Sequence, residues 1–265
     1  MGEANASISL PGSVVLVTGG TRGIGAGIAR AFALAGASVV VCGRNAPAGP
    51  PSTSEGEIVF MPCDVRDSDA VGRLVDDILA RYGRLDVLVN NAGGGPPADL
   101  ADSSPRLVER LIALNLTAPL TCARSANAVM QRQDEGGCII NIASVAGCRP
   151  APSTAVYGAA KAGLLHATES LAMEWGPRVR VNAIVAGFVA TEEAGEHYGG
   201  SEGIGRIGAM FPLRRMAEPG DIASACLYLA SPLAAYVSGA RLAVHGGGEW
   251  PLFLHLARTR SAPGG

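Results

Sequence analysis

Short runs of apolar, often β-branched residues recur along the chain, without the apolar–polar alternation of a strand that has one face in water. Runs of this kind are typical of strands that are buried on both faces of a parallel sheet. The pattern predicts seven strands, at 13–18, 38–42, 58–62, 85–89, 138–143, 178–184 and 240–244.

Between these runs, apolar residues return every three or four positions, which is the spacing of an amphipathic helix. Helices are predicted at 24–34, 68–82, 104–133 and 219–230, with a further one that ends near 175. Asn115 and Pro119 weaken the backbone hydrogen bonding of the third helix, so we expect an interruption between them. Strands and helices alternate, which predicts an α/β protein with a doubly wound Rossmann fold, a seven-stranded, mostly parallel sheet with helices on both faces.

Three segments do not follow this alternation. Residues 45–57 contain three prolines and two glycines, and they predict a loop where such folds often have a helix. Residues 192–215 are rich in glycine and predict a flexible substrate lid. The C-terminal tail, 249–265, has apolar side chains that we expect to be buried across a subunit interface, near a neighbour's lid: Trp250, Leu252, Phe253, Leu254 and Leu256.

Composition limits the class of protein. The chain has 265 residues, 48% of them hydrophobic, which suffices for a single α/β domain over 1–265. Its net charge of −2 offers no basic surface for nucleic acid or for an anionic membrane. Because it contains neither an uninterrupted apolar run of ~18 residues nor a signal-peptide pattern, we expect a cytoplasmic protein without a membrane span. The cysteines lack metal-ligand spacing, so we expect reduced thiols and no metal site.

A glycine-rich turn, G-G-T-R-G-I-G at 19–25, follows the first predicted strand and leads into a predicted helix. Glycine at this point lets backbone N–H groups approach a pyrophosphate at the N-terminus of the helix. An ordinary glycine-rich turn is the alternative, but the position between strand and helix favours nucleotide binding. A second turn, at 90–97, follows the fourth predicted strand, at the edge where open α/β sheets bind ligands.

The end of the second predicted strand bears on the choice of dinucleotide. This strand ends at Gly43 and Arg44 with no acidic residue. In dinucleotide-binding folds a carboxylate there binds the ribose 2′-hydroxyl, whereas an arginine accommodates a 2′-phosphate. Arg44, together with Arg22 from the glycine-rich turn, therefore favours NADP(H) over NAD(H). The alternative is a pair of surface arginines, since the chain uses arginine freely.

Tyr157 and Lys161 are four residues apart on a predicted helix, so their Cβ atoms should lie about 5–6 Å apart. A positive charge at this range favours the phenolate, so we expect a lowered pKa for Tyr157, which suits proton transfer. Lys161 is the only lysine among the 21 Lys and Arg residues, and arginine cannot replace a compact ammonium. The pair therefore favours chemistry over a packing tyrosine and a solvated lysine.

From residue 10 to residue 248 the sequence resembles the short-chain dehydrogenase/reductase family, in its compact branch of about one Rossmann domain. The spacing T-G-x-x-x-G-x-G at 18–25 is similar to that branch and differs from the longer sugar-nucleotide epimerases. Residues 90–93, N-N-A-G, are similar to the family's sheet-stabilising motif, and residues 64–65, D-V, match the pair that meets the adenine.

The resemblance implies two sets of site residues in a single dinucleotide-binding catalytic domain. The catalytic positions are Asn115, Ser144, Tyr157 and Lys161. The predicted cofactor-binding positions are Thr18, Gly19, Thr21, Arg22, Gly23, Ile24, Gly25, Arg44, Asp64, Val65, Asn91, Ala92, Gly93, Tyr157, Lys161, Gly187, Val189 and Thr191.

The implied mechanism assigns one role to each catalytic residue. Ser144 donates a hydrogen bond to the substrate carbonyl, and Tyr157 gives that oxygen a proton as hydride reaches the carbon. Lys161 also holds the nicotinamide ribose, and Asn115 anchors a water that reconnects Lys161 to solvent. The sequence thus predicts an NADP(H)-dependent oxidoreductase that interconverts a ketone and a secondary alcohol, with Tyr157 as acid or base.

Other functions stay open. The alternatives are a non-catalytic, dinucleotide-sensing regulator on the same fold and an NAD-preferring alcohol dehydrogenase. The glycine spacing disfavours an epimerase or a dehydratase. The predicted pocket walls are mostly apolar, which suits a small carbonyl or alcohol substrate such as a 3-oxoacyl thioester, steroid, terpenoid or quinone: Val145, Ala146, Ala151, Phe188, Met210 and Phe211.

The resemblance also implies a homotetramer, formed through the Tyr157 helix and the last strand. The exposed face of that helix is expected to be small and apolar, with Ala159, Ala160, Gly163 and Ala167. Two positions depart from the family pattern: Ala186 replaces the usual proline before Gly187, and His245 replaces a common aspartate.

Overall fold

The structure is a computed structural model, and it describes residues 8–47, 56–192, 194–251 and 253. The strands are β1 Val14–Thr18, β2 Ser38–Gly43, β3 Ile58–Pro62, β4 Val87–Asn90, β5 Gly137–Ser144, β6 Val179–Ala186 and β7 Arg241–Val244. They form one sheet in the order β3-β2-β1-β4-β5-β6-β7, and each neighbouring pair of these strands is parallel. The predicted doubly wound Rossmann fold is confirmed.

The α-helices of the described chain flank this sheet. They are α1 Gly23–Leu34, α2 Ser68–Tyr82, α3 Pro105–Ile112, α4 Ala118–Met130, α5 Ala155–Trp175, α6 Ala194–Tyr198, α7 Gly200–Gly208 and α8 Pro219–Ala230. Helices α1 and α8 cover one face of the sheet, and α2 and α4 cover the other. Within the described ranges, none of the helices is both long and apolar enough to cross a membrane.

Strand β1 shows why the apolar runs do not alternate with polar residues. Val15 and Val17 pack against the α1 and α8 face, whereas Val14 and Leu16 pack against the α2 and α4 face. All four are at most 3% exposed. A polar side chain on either face would lose its hydration, whereas burial of each apolar side chain stabilises the fold by roughly 1.5–3 kcal/mol.

The long helix predicted at 104–133 is interrupted in the structure. Helix α3 ends at Ile112, a π-helical turn spans Ala113–Thr117, and α4 follows. Pro119 lies in the first turn of α4, where its missing N–H leaves no hydrogen bond unmade. The interruption places Asn115 in the π turn, where it is fully buried.

The segment 192–215 contains α6 and α7, which the sequence did not predict. Gly199 and Gly200 adopt φ angles of 80° and 71° between these helices. A Cβ atom on Gly203 would lie 1.5 Å from the carbonyl oxygen of Tyr198. Close packing therefore requires glycine at position 203. Glycine is unfavourable in a helix by about 1 kcal/mol relative to alanine, so the sequence did not predict a helix there.

One expectation about the surface of α5 needs correction. Ala160 was placed on the exposed face of α5, but it is fully buried. Trp250 and Phe253 of the tail are 38% and 70% exposed in this single chain, so burial of the tail across a subunit interface stays a prediction. Leu252, Leu254 and Leu256 lie outside the described residues, as do residues 48–55 of the predicted loop.

Candidate active site

The carboxyl ends of β1, β2, β4, β5 and β6 surround a cavity of about 840 Å³. Most of the predicted site residues line it: Gly19, Thr21, Arg22, Gly23, Ile24, Gly25, Arg44, Asp64, Val65, Asn91, Ala92, Gly93, Ser144, Tyr157, Lys161, Gly187 and Thr191. Three predicted residues do not: Thr18, Asn115 and Val189. The fold therefore brings one glycine-rich turn and three of the four predicted catalytic residues to a single cavity.

The glycine-rich turn between β1 and α1 requires glycine at particular positions. Gly19 and Gly23 have positive φ angles of 64° and 52°. A Cβ atom on Gly25 would lie 2.2 Å from the carbonyl oxygen of Gly19 and 2.5 Å from Nδ2 of Asn91. Arg22, the N-cap of α1, has no side-chain acceptor for the first N–H groups of the helix. These backbone donors suit a pyrophosphate, so the turn fits the phosphates of a dinucleotide.

Thr18 and Asn91 fix the shape of this turn from below. The Thr18 hydroxyl accepts hydrogen bonds from the backbone N–H groups of Asn91 and Ala92, each at 3.0 Å. The Asn91 amide donates to the carbonyl oxygens of Thr18 at 2.9 Å and Gly19 at 3.1 Å. Thr18 is 2% exposed. It therefore positions the turn from within the protein instead of lining the cavity. Val189 also has a structural role, because its backbone pairs with that of Ala217 in an isolated parallel β-bridge.

Ser144, Tyr157 and Lys161 meet where β5 and α5 approach each other. Ser144 ends β5, and its hydroxyl is close enough to the Tyr157 phenol for a hydrogen-bonding interaction that favours the phenolate. The Lys161 ammonium lies 5.8 Å from the Tyr157 ring centroid. It donates a hydrogen bond of 2.8 Å to the carbonyl oxygen of Ile142. A hydrogen-bond donor, a phenol and an ammonium thus adjoin one another at the edge of the cavity.

The protonation behaviour of the pair differs from the sequence prediction. Burial raises the pKa of Tyr157, and the hydrogen bond with Ser144 lowers it only in part. The predicted lowering is therefore wrong for this arrangement, since desolvation of the phenolate outweighs the favourable contacts. Burial also lowers the pKa of Lys161 to about 8, because the ammonium has left water. Both groups thus favour their neutral forms relative to the free side chains.

Asn115 reaches the site from the π turn, which is a feature often found at functional positions. Its Oδ1 atom accepts from the N–H of Gly94 at 2.8 Å. Its Nδ2 atom donates to the carbonyl oxygens of Gly94 and Leu111, both at 3.0 Å. A Cβ atom on Gly93 would lie 2.9 Å from Asn115 Oδ1 and 3.2 Å from Lys161 Nζ. Asn115 therefore holds the backbone at Gly93 and Gly94 in place, next to Lys161.

The opposite end of the cavity carries several guanidinium groups. Arg22 and Arg44 line it, as predicted, beside Asp64. Arg66, which the sequence analysis missed, also lines it and pairs with Asp64 through hydrogen bonds of 2.9 and 2.5 Å. This side-chain hydrogen bonding lowers the pKa of Asp64 to about 2. The sequence could have indicated Arg66, because it follows the predicted adenine contact Asp64 by only two residues and so lies on the same short turn.

The predicted substrate pocket is only partly assembled from the predicted residues. The Phe188 ring lies 6.0 Å from the ring of Tyr198 and 5.6 Å from that of Phe211, between centroids. Phe188 and Phe211 line a second cavity of about 330 Å³. Neither cavity is lined by the other four predicted wall residues, Val145, Ala146, Ala151 and Met210. In the part of the chain that the structure describes, no group of His, Cys, Asp and Glu side chains is placed to hold a metal ion.

Comparison with known proteins decides the family. Residues 19–249 match the family model described as enoyl-(acyl carrier protein) reductase. An L-fucose dehydrogenase from Bos taurus is 37% identical over 247 residues, which cover 90% of each chain. The chain belongs to the short-chain dehydrogenase/reductase family. Members of this family are NAD(P)-dependent oxidoreductases, so the protein is an enzyme that acts on alcohol and carbonyl groups.

Two further relatives of this short-chain dehydrogenase/reductase cover nearly the whole chain. A 3-oxoacyl-[acyl-carrier-protein] reductase from Synechocystis is 36% identical over 247 residues, which are 90% of this chain and 98% of the relative. The crystal structure of a putative short-chain alcohol dehydrogenase from Sinorhizobium meliloti 1021 is 33% identical, with a TM-score of 0.83. It covers 91% of this chain and 98% of the solved one.

Proposed function

We propose that this short-chain dehydrogenase/reductase reduces a ketone to a secondary alcohol with NADPH, and that Tyr157 is the general acid. The observation that carries the proposal is the junction of Ser144, Tyr157 and Lys161 in the same cavity as the glycine-rich turn. The glycine-rich turn would hold the phosphates of the dinucleotide, and the three side chains line the same cavity. When bound, it supplies the hydride.

Ser144, Tyr157 and Lys161 supply the hydrogen bonds and the proton that the reduction requires. Ser144 and Tyr157 form two adjacent donors, and a carbonyl oxygen placed between them gains a hydrogen bond from each. Because burial raises the pKa of Tyr157, its phenol keeps its proton until the substrate oxygen becomes basic. This favours Tyr157 as an acid in the direction of reduction. Lys161, whose pKa is lowered to about 8, exchanges protons readily near neutrality.

The preference for NADP(H) rests on charge at the adenosine end. Arg22 and Arg44 line the cavity there, and no acidic side chain occupies positions 42–44 at the end of β2. The nearest carboxylate on the cavity wall, Asp64, is already paired with Arg66. A ribose 2′-phosphate would therefore meet guanidinium groups rather than an unpaired carboxylate.

The substrate is a small carbonyl compound or alcohol. The activities of two relatives, an L-fucose dehydrogenase and a 3-oxoacyl-[acyl-carrier-protein] reductase, both involve an alcohol or a carbonyl group. The test is a screen of the purified protein for oxidation of NADPH, and separately of NADH, across 3-oxoacyl thioesters, sugars, steroids, terpenoids, quinones and diketones. We expect turnover of at least one class, with NADPH preferred. Tight dinucleotide binding without any turnover would instead indicate a dinucleotide-sensing regulator.

The protein is further proposed to be a homotetramer. On α5, Ala159 is exposed, and Gly163 and Ala167 are partly exposed. Small side chains of this kind permit close approach of a second helix. Sedimentation equilibrium measures the mass directly, and a monomer at micromolar concentration would contradict this assembly.

A further inference from the structure

The loop that joins β5 to α5 connects two residues of the proposed reaction. It follows Ser144, which ends β5, and it leads into the first turn of α5, which carries Tyr157. The first half of the loop is held by close packing. A Cβ atom on Gly147 would lie 2.8 Å from the backbone of Lys161, so this half rests directly on α5 beside the site.

The second half of the loop, residues 148–153, is mostly exposed, and two polar contacts tie it to other segments. The carbonyl oxygen of Ser153 accepts a hydrogen bond of 2.7 Å from the N–H group of Ala98. Ser153 has a φ angle of 56°, which is uncommon for a residue other than glycine. The other contact is an ion pair between Arg149 and Glu249. It joins the middle of the loop to the start of the C-terminal tail.

Glu249 reaches Arg149 because the chain turns sharply after β7. Residues 246–248 are glycines with φ angles of 65°, 92° and 81°, which other residues rarely adopt. A Cβ atom on Gly247 would lie 2.8 Å from the side chain of Pro212, at the end of the lid segment. The three glycines therefore let the chain pass close to the lid segment and direct Glu249 to the loop.

The ion pair is better placed to affect the site than the stability of the fold. The Arg149 and Glu249 side chains are 38% and 27% exposed, and an ion pair so accessible to water contributes little to global stability. Position 149 nevertheless lies between positions 144 and 157 on one short loop. Because a displacement of about 1 Å in a reacting group can lower a rate about 100-fold, a weak contact on this loop can have a large kinetic effect.

We infer that Glu249 is a positioning residue, which acts through Arg149 to hold the loop between Ser144 and Tyr157 in the arrangement that the reaction requires. The start of the C-terminal tail thus supports the active site. This inference rests on the proposed reductase function for its kinetic test. Neither partner of the ion pair lines the cofactor cavity, so dinucleotide binding should not depend on the pair.

Charge substitutions test the inference. Arg149→Glu and Glu249→Arg each place two like charges together, whereas the double variant restores an ion pair of reversed polarity. Each single variant should lower kcat/KM at least about fivefold for a ketone that wild type reduces, with the Kd of NADPH within about twofold of wild type. The double variant should recover at least about half of the wild-type kcat/KM.

Arg81→Glu is the matched control. It breaks the ion pair between Arg81 and Glu57, and neither residue lines a described cavity, so kcat/KM should not change. Unchanged kcat/KM in both single variants at the loop would overturn the inference, as would a loss that the double variant does not reverse. An equal loss of NADPH binding would also overturn it, because it would indicate general damage to the fold.

Amide hydrogen exchange tests the same role without a substrate. Peptides that cover residues 145–154 should exchange faster in Glu249→Arg than in wild type, and the double variant should slow them again. Unchanged exchange in Glu249→Arg would overturn the inference. Failure of wild type to reduce any carbonyl compound, despite measured NADPH binding, would contradict the proposed function, and the exchange rates would still decide whether Glu249 holds the loop.

Discussion

The ammonium of Lys161 lies 5.8 Å from the ring centroid of Tyr157, yet it donates its 2.8 Å hydrogen bond to the backbone of Ile142. The pair therefore does not form a direct ion pair with a phenolate. Instead, Lys161 is buried and Tyr157 is partly buried, and desolvation moves their two pKa values apart, raising that of Tyr157 and lowering that of Lys161 to about 8. Because the phenol becomes a weaker acid and the amine a weaker base, transfer of the phenol proton to Lys161 becomes more costly, and Tyr157 keeps its proton.

The lowered pKa of Lys161 predicts a pH-dependent effect on stability. Below pH 8 the lysine is charged in both states, so the folded protein bears the full cost of a buried ammonium. Between pH 8 and about 10.4, the pKa of a free lysine, the unfolded chain binds more protons, so the free energy of unfolding rises with pH. The total change is on the order of 3 kcal/mol.

Lys161→Met removes this titration, and denaturant unfolding of both proteins measures it. The stability of wild type relative to Lys161→Met should rise by about 2 kcal/mol between pH 7.5 and pH 9.5. Tyr157 stays protonated in this range because its pKa is raised. A difference that is constant with pH would show that Lys161 titrates as a solvated lysine.

Arg44→Asp tests the proposed cofactor preference. An introduced carboxylate repels a 2′-phosphate and accepts a hydrogen bond from a 2′-hydroxyl, so the ratio of kcat/KM for NADPH to that for NADH should fall by at least about tenfold. Arg30→Asp makes the same charge change on an exposed residue of α1 away from the cavity, and it should leave the ratio unchanged. A preference of wild type for NADH would show that Arg22 and Arg44 do not bind a 2′-phosphate.

Gly203→Ala tests whether close packing of α7 positions Tyr198. The new Cβ atom would collide with the Tyr198 carbonyl, so α6 must shift, at a cost of about 1–3 kcal/mol. We expect a lower Tm than that of wild type. Gly205→Ala is the matched control, because nothing lies within 4 Å of its added Cβ and alanine favours the helix. Equal effects of the two variants would contradict the positioning role.

The sequence predicted the parts of this molecule that depend on local pattern. The glycine-rich turn lies between β1 and α1 as expected, because Gly25 meets Gly19 across only six residues. Tyr157 and Lys161 share a helix face for a similarly local reason. The seven apolar runs became seven parallel strands, since burial of both sheet faces leaves a continuous apolar signature.

Features that depend on three-dimensional environment were not predictable in this way. The pKa of Tyr157 follows from desolvation, which spacing along a helix does not report. Helices α6 and α7 were missed because glycines at 199, 200 and 203 disfavour a helix in the sequence pattern, whereas the packed chain requires them. Ala160 was misplaced because the small residues of α5 occur on both its buried and its exposed faces.

Tyr157→Phe is the most direct test of the central claim, that Tyr157 transfers a proton to the substrate oxygen in an NADPH-dependent reduction. The substitution removes only the hydroxyl group and leaves the ring in place. NADPH binding, measured by titration of its fluorescence, should stay within about twofold of wild type, whereas kcat should fall by at least about 100-fold on any ketone that wild type reduces. Retention of wild-type turnover by Tyr157→Phe, with NADPH still bound, would contradict the claim.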